Sequence, residues 1–295
     1  MELSGVIVVD KAAGCTSHDV VNRMRRIAGT RRVGHLGTLD PLATGVLPLV
    51  VGKATRLAQF FTTGTKRYDA WIRFGQSTDS YDRDGAPTSD PAEPSFAREE
   101  LEGALGGFRG TFLQTPPPVS AKKIAGVPAY KLARKKVEVE LTPVEVTVNA
   151  LDLVVFEPPL ARVLICCSAG TYVRSIAHEL GQRFGCGAHL DSLRRTASGE
   201  FAEEQARTIE DLTTLAEQGR LADAVVTGTA LLPQFPSEQV DALTAGQIRQ
   251  GRDFRVSPFR VRPDVRYVKA LAPDGELVAI GEARLPHLYH PVLVL

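Results

Sequence analysis

The chain predicts an α+β fold with a small β-rich unit at its C-terminal end. Three observations carry this. Amphipathic helical stretches and short strand-like runs mix irregularly along the 295 residues, without a regular strand–helix alternation. Most strand-like runs lie close enough together to pair as hairpins. Beyond residue 236 the pattern becomes short strands around a Pro-Asp-Gly-Glu turn at residues 273–276. The length suits one larger domain and one smaller one. We place them at residues 1–232 and 237–295, with the stretch LLPQFPSE, from Leu231, as linker.

Each element has a local reason. GVIVVD, residues 5–10, is a short apolar run of the kind that forms a buried strand. Thr16 can then cap a helix, with Asp19 three residues on to complete a capping box. Val20, Val21, Met24 and Ile27 share one face of that helix, and Arg23, Arg25 and Arg26 point elsewhere. Residues 54–61 read as a second helix, and KRYDAWIRFG, residues 66–75, alternates as a strand. Residues 82–94 are polar and rich in Pro and Gly, a surface loop. Residues 96–105 form an amphipathic helix, residues 144–156 and 161–168 are strand-like, and residues 171–184 are helical until Gly185 and Gly187 break the pattern. No internal repeat is present.

Composition excludes several classes. Apolar residues make up 43% and charged residues 23%, which is ordinary for a globular chain with a real core. No apolar run approaches the ~18 residues that span a bilayer, and the N-terminus lacks a secretory pattern. The four cysteines, Cys15, Cys166, Cys167 and Cys186, form no CxxC pair, so neither a disulfide framework nor a zinc site is implied, and we expect a cytoplasmic protein. There is no GxGxxG, no phosphate-binding loop, no HExxH and no GxSxG, so no metal or nucleotide cofactor is expected. His287 and His290 read as a surface pair.

The net charge of +1 hides a segregation. Residues 120–136 hold six Lys/Arg and no acid, residues 23–32 hold five Arg and no acid, and residues 249–266 hold six Arg against two Asp. Basic faces on a nearly neutral chain suit a polyanion that must also be released. Lys122, Lys123, Lys131, Arg134, Lys135 and Lys136, on the arm at residues 120–141, are the candidate nucleic-acid contacts. Solvated helix faces are the ordinary alternative for any one cluster.

Two segments offer chemistry. In GHLGTLDPLATGVLP, residues 34–48, Asp40 stands among leucines and glycines. Pro41 biases it towards extended geometry. Such an acid either sits on a wet turn or lies in an apolar cleft, where it needs a cation to stay charged. In CSAGTYVRSIAHELG, residues 167–181, Tyr172 and Arg174 lie at a strand-to-helix junction. Arg174 suits an isolated carboxylate because its planar fork stays charged. A core tyrosine and a surface arginine are the ordinary alternative.

Taken together, the motifs resemble those of the bacterial tRNA pseudouridine-55 synthases of the TruB type. GHLGTLDPLATGVLPLVVGKATRLAQ resembles that family's catalytic motif. GVIVVDKAAGCTSHDVV, KRYDAWIRFGQSTDSYDRDG, QTPPPVSAKKIAGVPAYKLAR, CSAGTYVRSIAHELG and CGAHLDSLRRTASGEF resemble its further motifs in the same order. LTAGQIRQGRDF and HPVLVL are similar to its RNA-binding C-terminal module, of the PUA kind. One departure is that Ala12 follows Lys11 where the family often has proline. The resemblance implies a pseudouridine synthase domain with a mixed, mainly antiparallel sheet flanked by helices. It implies that uridine in the tRNA T arm is isomerised by a monomeric enzyme. Residue by residue, it implies Asp40 as catalytic carboxylate, Tyr68 stacked on the uracil near its C5 proton, and Arg174 as partner of Asp40. Tyr172 and Leu193 would line the base pocket, His35 would brace the RNA stack, and Lys11 would steady the nearby loop. A non-catalytic RNA-binding or RNA-folding protein on the same scaffold is the alternative. A cofactor-free hydrolase using Asp40 would leave the basic arm and the C-terminal module without a purpose.

Overall fold

In the computed structural model, residues 3–62, 64–119, 123–124, 127–128 and 141–295 are described. Lys122, Lys131, Arg134, Lys135 and Lys136 of the basic arm lie outside them, and Lys123 enters only as backbone of a two-residue strand.

The larger sheet contains β1 (Gly5–Lys11), β2 (Val33–His35), β3 (Thr44–Val51), β4 (Lys66–Phe74) and β5 (Gly110–Gln114). Two short strands, β6 (Lys123–Ile124) and β7 (Val127–Pro128), pair only with each other. The larger sheet continues with β8 (Val144–Glu157), β9 (Leu160–Cys167), β10 (Ala188–Ser198), β11 (Phe201–Ala202) and β12 (Val225–Val226). Its order is β12-β1-β3-β10-β4-β9-β8-β5, with β2 on β3 and β11 on β10. Only β3 and β10 run parallel, through Arg194↔Thr44 and Arg195↔Gly45; the other pairings are antiparallel. The sheet is therefore mixed and mainly antiparallel.

Helices α1 (Ser17–Ile27), α2 (Arg98–Gly106), α3 (Val173–Arg183) and α4 (Ile209–Glu217) cover one face. α1 starts as its sequence dictates: Asp19 N–H donates to Thr16 Oγ1 at 3.1 Å, and Thr16 N–H donates to Asp19 Oδ2 at 2.9 Å. β1 is buried on both sides. Ile7 and Val9 join the core under the helices, whereas Val6 and Val8 join a second core on the opposite face. That explains why GVIVVD is a continuous apolar run and not an alternating one. Of residues 54–61, read as a helix, all but Phe61 lie within a tighter 3₁₀ segment, Gly52–Phe60, which Phe61 caps.

The second sheet, β13 (Ser237–Gln239), β14 (Phe254–Arg255), β15 (Tyr267–Leu271), β16 (Leu277–Leu285) and β17 (Leu288–Val294), has the order β13-β15-β16-β17-β14. A single helix, α5 (Ala242–Arg249), packs on it. This is the small β-rich unit, and the Pro-Asp-Gly-Glu turn joins β15 to β16 with Gly275 at φ +83°.

Two expectations need correction. Leu231 and Leu232, read as linker, are buried between the two sheets with Leu271, Leu277, Ile280 and Leu293. Burying each is worth about 1.5–3 kcal/mol, so the stretch is an anchor as much as a connection. Residues 82–94 run over the surface as read except at their first residue: Asp82 is drawn inward by Ser80, whose hydroxyl donates to Asp82 Oδ1 at 2.6 Å, and by the guanidinium of Arg174.

One glycine makes the parallel junction possible. Gly45 has φ +96°, and a Cβ there would lie 2.3 Å from the Arg195 carbonyl oxygen. Gly45→Ala is expected to lower stability by about 2–4 kcal/mol through backbone strain and the clash together. A urea midpoint indistinguishable from wild type would overturn this.

Candidate active site

The loop between β2 and β3, which carries Asp40, is held from three sides. Ser17 at the start of α1 accepts from Leu39 N–H at 2.8 Å and donates back to the Leu39 carbonyl at 3.1 Å. Lys11, at the end of β1, gives its ammonium protons to the carbonyls of Ala12, Pro41 and Ala43 at 3.0, 3.2 and 2.6 Å. Arg195, on β10, donates through Nη2 to Gly37, Nη1 to Thr38 and Nε to Val46, at 3.1, 3.3 and 2.8 Å. Leu39, Leu42 and Leu47 are sunk in the core beneath. A backbone so constrained holds its one outward acid in a fixed place without help from that acid.

Asp40 projects from this loop towards the N-terminus of α3. Arg174, in the first turn of α3 and only 4% exposed, grips it as a fork: Nη2 donates to Oδ1 at 2.9 Å, and Nε lies 2.9 Å from Oδ2, off the line of a hydrogen bond. The Asp40 side chain keeps 31% of its surface open. The guanidinium is itself positioned. Nη1 donates to the Ser80 carbonyl at 2.9 Å and lies 3.4 Å from Asp82 Oδ2, and Nη2 also donates to the Val119 carbonyl at 3.0 Å. Burial pushes the Asp82 carboxyl up from its ordinary range, against the pull of Ser80 and Arg174.

A cavity of about 630 Å³ opens in front of Asp40. Its wall includes Tyr68, Leu193, Tyr172, His35, Lys66 and Arg195, besides Asp40 and Arg174. The size accepts a nucleotide-scale ligand. Tyr172 caps α3, and its backbone exchanges two hydrogen bonds with the Gln114 side chain, at 2.8 and 3.0 Å. Burial holds the Tyr68 phenol above its usual pKa and, with the nearby charges of Arg195 and His18, holds the His35 imidazole below its own. Both side chains are therefore neutral near pH 7.

The structure thus brings together Asp40, Tyr68, Arg174, His35, Tyr172 and Leu193, which are scattered over more than 150 residues of sequence. Lys11, expected to steady the loop near the pocket, is not on the cavity wall. It is 1% exposed and spends its protons on the loop carbonyls behind Asp40. Sequence reasoning misses three residues of the site: Asp82, Lys66 and Arg195. Asp82 is hidden in a polar stretch. Arg195 is hidden in LRR, where arginines ordinarily face water. Lys66 carries a signal, since it sits two residues before Tyr68 and so on the same strand face.

Known proteins resemble this chain in sequence and in fold. Residues 25–173 match the family described as TruB family pseudouridylate synthase (N terminal domain), and residues 174–233 match the tRNA pseudouridylate synthase B C-terminal domain. The chain belongs to the TruB family of pseudouridylate synthases. The division between the two matched segments falls inside α3, so it is not a boundary of the folded units. The chain is 60% identical over 293 residues to tRNA pseudouridine synthase B of Solibacter usitatus, covering 99% of this chain and 100% of that one. It is 42% identical over 288 residues to the protein of that name from Thermobifida fusca, covering 95% and 94%. Among solved structures it resembles a chain of an H/ACA RNP bound to a substrate RNA containing 2'-deoxyuridine, with TM-score 0.71, 25% identity, and 99% and 84% coverage. It also resembles a chain of a Cbf5-Nop10-Gar1 complex, with TM-score 0.70, 26% identity, and 96% and 79% coverage. The protein is an isomerase of this family.

Proposed function

We propose that the protein converts uridine to pseudouridine at position 55, in the T-loop of tRNA. The observation that carries the proposal is the Asp40 carboxylate, forked by Arg174 and open to a nucleotide-sized cavity walled by Tyr68, Tyr172 and Leu193. The relatives' shared name, tRNA pseudouridine synthase B, supports tRNA as the substrate.

The reaction breaks the bond from ribose C1′ to uracil N1, turns the base, and joins C1′ to C5. The target base must first leave its stack, at a cost of a few kcal/mol. Tyr68 offers it a replacement stacking surface worth about 1–3 kcal/mol. His35 fills or braces the RNA stack at the cavity mouth. Asp40 then either attacks C1′, giving a sugar ester, or removes a ribose proton, giving a glycal. Arg174 keeps Asp40 ionised and aimed on both routes. The walls keep the detached base, so it rotates and does not diffuse away. The same proposal places the enzyme in the cytoplasm, as a monomer. Gripping and releasing the tRNA arm would also help that arm to refold.

Incubation with unmodified tRNA carrying tritium at C5 of uridine tests this. Label is expected in the solvent, with pseudouridine at one T-loop position. Tight binding without label release would leave only the chaperone function. Neutralising Lys122, Lys123, Lys135 and Lys136 together is expected to weaken tRNA binding. It should also flatten the salt dependence of binding, by about 0.9 in log–log slope for each phosphate no longer neutralised. An unchanged slope would mean that the arm does not touch the backbone.

A further inference from the structure

Among the described residues, Lys66 is a buried cation with no acid to answer it. The alternation along β4 puts Lys66 and Tyr68 on the same strand face, and both stand in the cavity wall. Lys66 is 6% exposed, and its ammonium donates to Ser198 Oγ, on the facing strand, at 2.9 Å. Among the described residues that is its one hydrogen-bond partner, and it has no carboxylate within ion-pair distance. Arg195 differs, because its Nε, Nη1 and Nη2 are all directed at backbone carbonyls, those of Val46, Thr38 and Gly37. Arg174 differs too, since it is committed to Asp40 and Asp82. Holding an unanswered ammonium out of water costs several kcal/mol. A charge held at that cost in a cavity wall marks a candidate functional group.

The chemistry supplies that anion. Whether Asp40 attacks C1′ or takes a ribose proton, the C1′–N1 electron pair leaves with the base. The negative charge then lies on uracil, spread over N1, O2 and O4. Arg174 is placed for the charge while it resides on Asp40 and not after it has moved. Lys66 lies on the strand face of Tyr68, the residue we assign to stack on that base. The cavity's exposed rim, at Thr62, Glu145 and Gly170, is where the sugar–phosphate chain would pass.

We propose that Lys66 is a catalytic residue of the reaction, its ammonium donating a hydrogen bond to a carbonyl oxygen of the detached uracil anion. The charge is then consumed as C5 forms its bond to C1′. The C5 proton departs, N1 gains a proton, and uridine and pseudouridine balance as isomers. Lys66 gains and loses nothing.

The neighbours of Lys66 support a charge that is available yet not fixed. Burial lowers its pKa to about 8, with the charge of Arg195 acting in the same direction. Cys167, its register partner on β9, has a thiol pushed up to about 11 by burial, and Tyr68 is neutral as well. Lys66 is therefore cationic below about pH 8 and loses that charge above it.

The test is Lys66→Met, measured by single-turnover pseudouridine formation on unmodified tRNA with enzyme in excess, beside tRNA Kd by filter binding. We expect the saturating rate to fall by about a hundredfold, the size of losing one donor to a developing anion, while Kd stays close to wild type. Wild-type kcat/KM, which reports groups of the free enzyme, should fall as pH rises through about 8, and this limb should vanish in Lys66→Met. Two results would overturn the assignment. One is a saturating rate equal to wild type. The other is a defect carried wholly by Kd, which would make Lys66 a backbone grip. If Lys66→Met does not fold, the wild-type profile decides, and a flat kcat/KM from about pH 7 to about pH 9 rejects the proposal. The inference rests on the pseudouridylation proposed above. No product from wild-type enzyme would sink that function, whereas product formed independently of Lys66 would sink the inference alone.

Discussion

Asp40→Asn is expected to fold, to bind tRNA as wild type does, and to form no detectable pseudouridine. The loss should be at least about 10⁴-fold, or roughly 5 kcal/mol of transition-state stabilisation. An amide of the same shape fills the same space, so the cavity survives. It is neither a nucleophile towards C1′ nor a base towards a ribose proton. Folding should be spared because the loop is held by Ser17, Lys11 and Arg195 and not by Asp40 itself. One amide oxygen can still accept from Arg174 Nη2, and only the approach to Nε turns unfavourable, because both groups are then donors. Nuclease digestion and nucleoside analysis of the tRNA measure the outcome, with a thermal melt as the folding control. Turnover above one part in about 10⁴ would remove Asp40 from the chemistry.

Arg174→Lys is expected to keep a positive charge and still lose about 10²- to 10³-fold in kcat, with KM little changed. The guanidinium fork does work that a point charge does not. It meets both oxygens of Asp40, approaches Asp82, and donates to the carbonyls of Ser80 and Val119. A shorter ammonium with three donors cannot serve five acceptors. Either Asp40 swings free or Asp82 is left buried without its cation. Both outcomes disturb the aim of the catalytic carboxylate more than the grip on RNA, so the loss belongs in kcat. Wild-type kcat in a folded Arg174→Lys protein would show that charge alone, and not the fork, is what Asp40 needs.

The elements legible in the sequence are those whose signals are local. Thr16 and Asp19 cap α1 within four residues, and Gly275 sits in a turn that its neighbours already specify. GVIVVD has to be a buried strand because nothing polar interrupts it before Asp10. β10 does not read as a strand, although it joins β3 to β4 at the centre of the sheet. Its sequence, AHLDSLRRTAS, carries Asp191, Arg194 and Arg195, and its pairing with β4 slips between Leu190 and Ser192 and again between Arg195 and Ala197. Each slip resets the alternation of faces, so a period of two cannot be followed along it.

The same division runs through the site. Asp40 and Arg174 stand out because an acid among leucines and an arginine at a strand-to-helix junction are locally unusual. Asp82, Lys66 and Arg195 do not, because each lies in a stretch whose composition is ordinary for a surface. The order of residues was enough to say which side-chain chemistries were present, where helices start and which runs must be buried, since capping and burial follow from neighbours in the chain. Which charges come to share a cavity was settled by folding alone. Arg174 meets Asp40 across 134 residues, and Lys66 meets Ser198 across 132. Electrostatic coupling depends on distance and burial in space, and neither quantity is written in sequence separation.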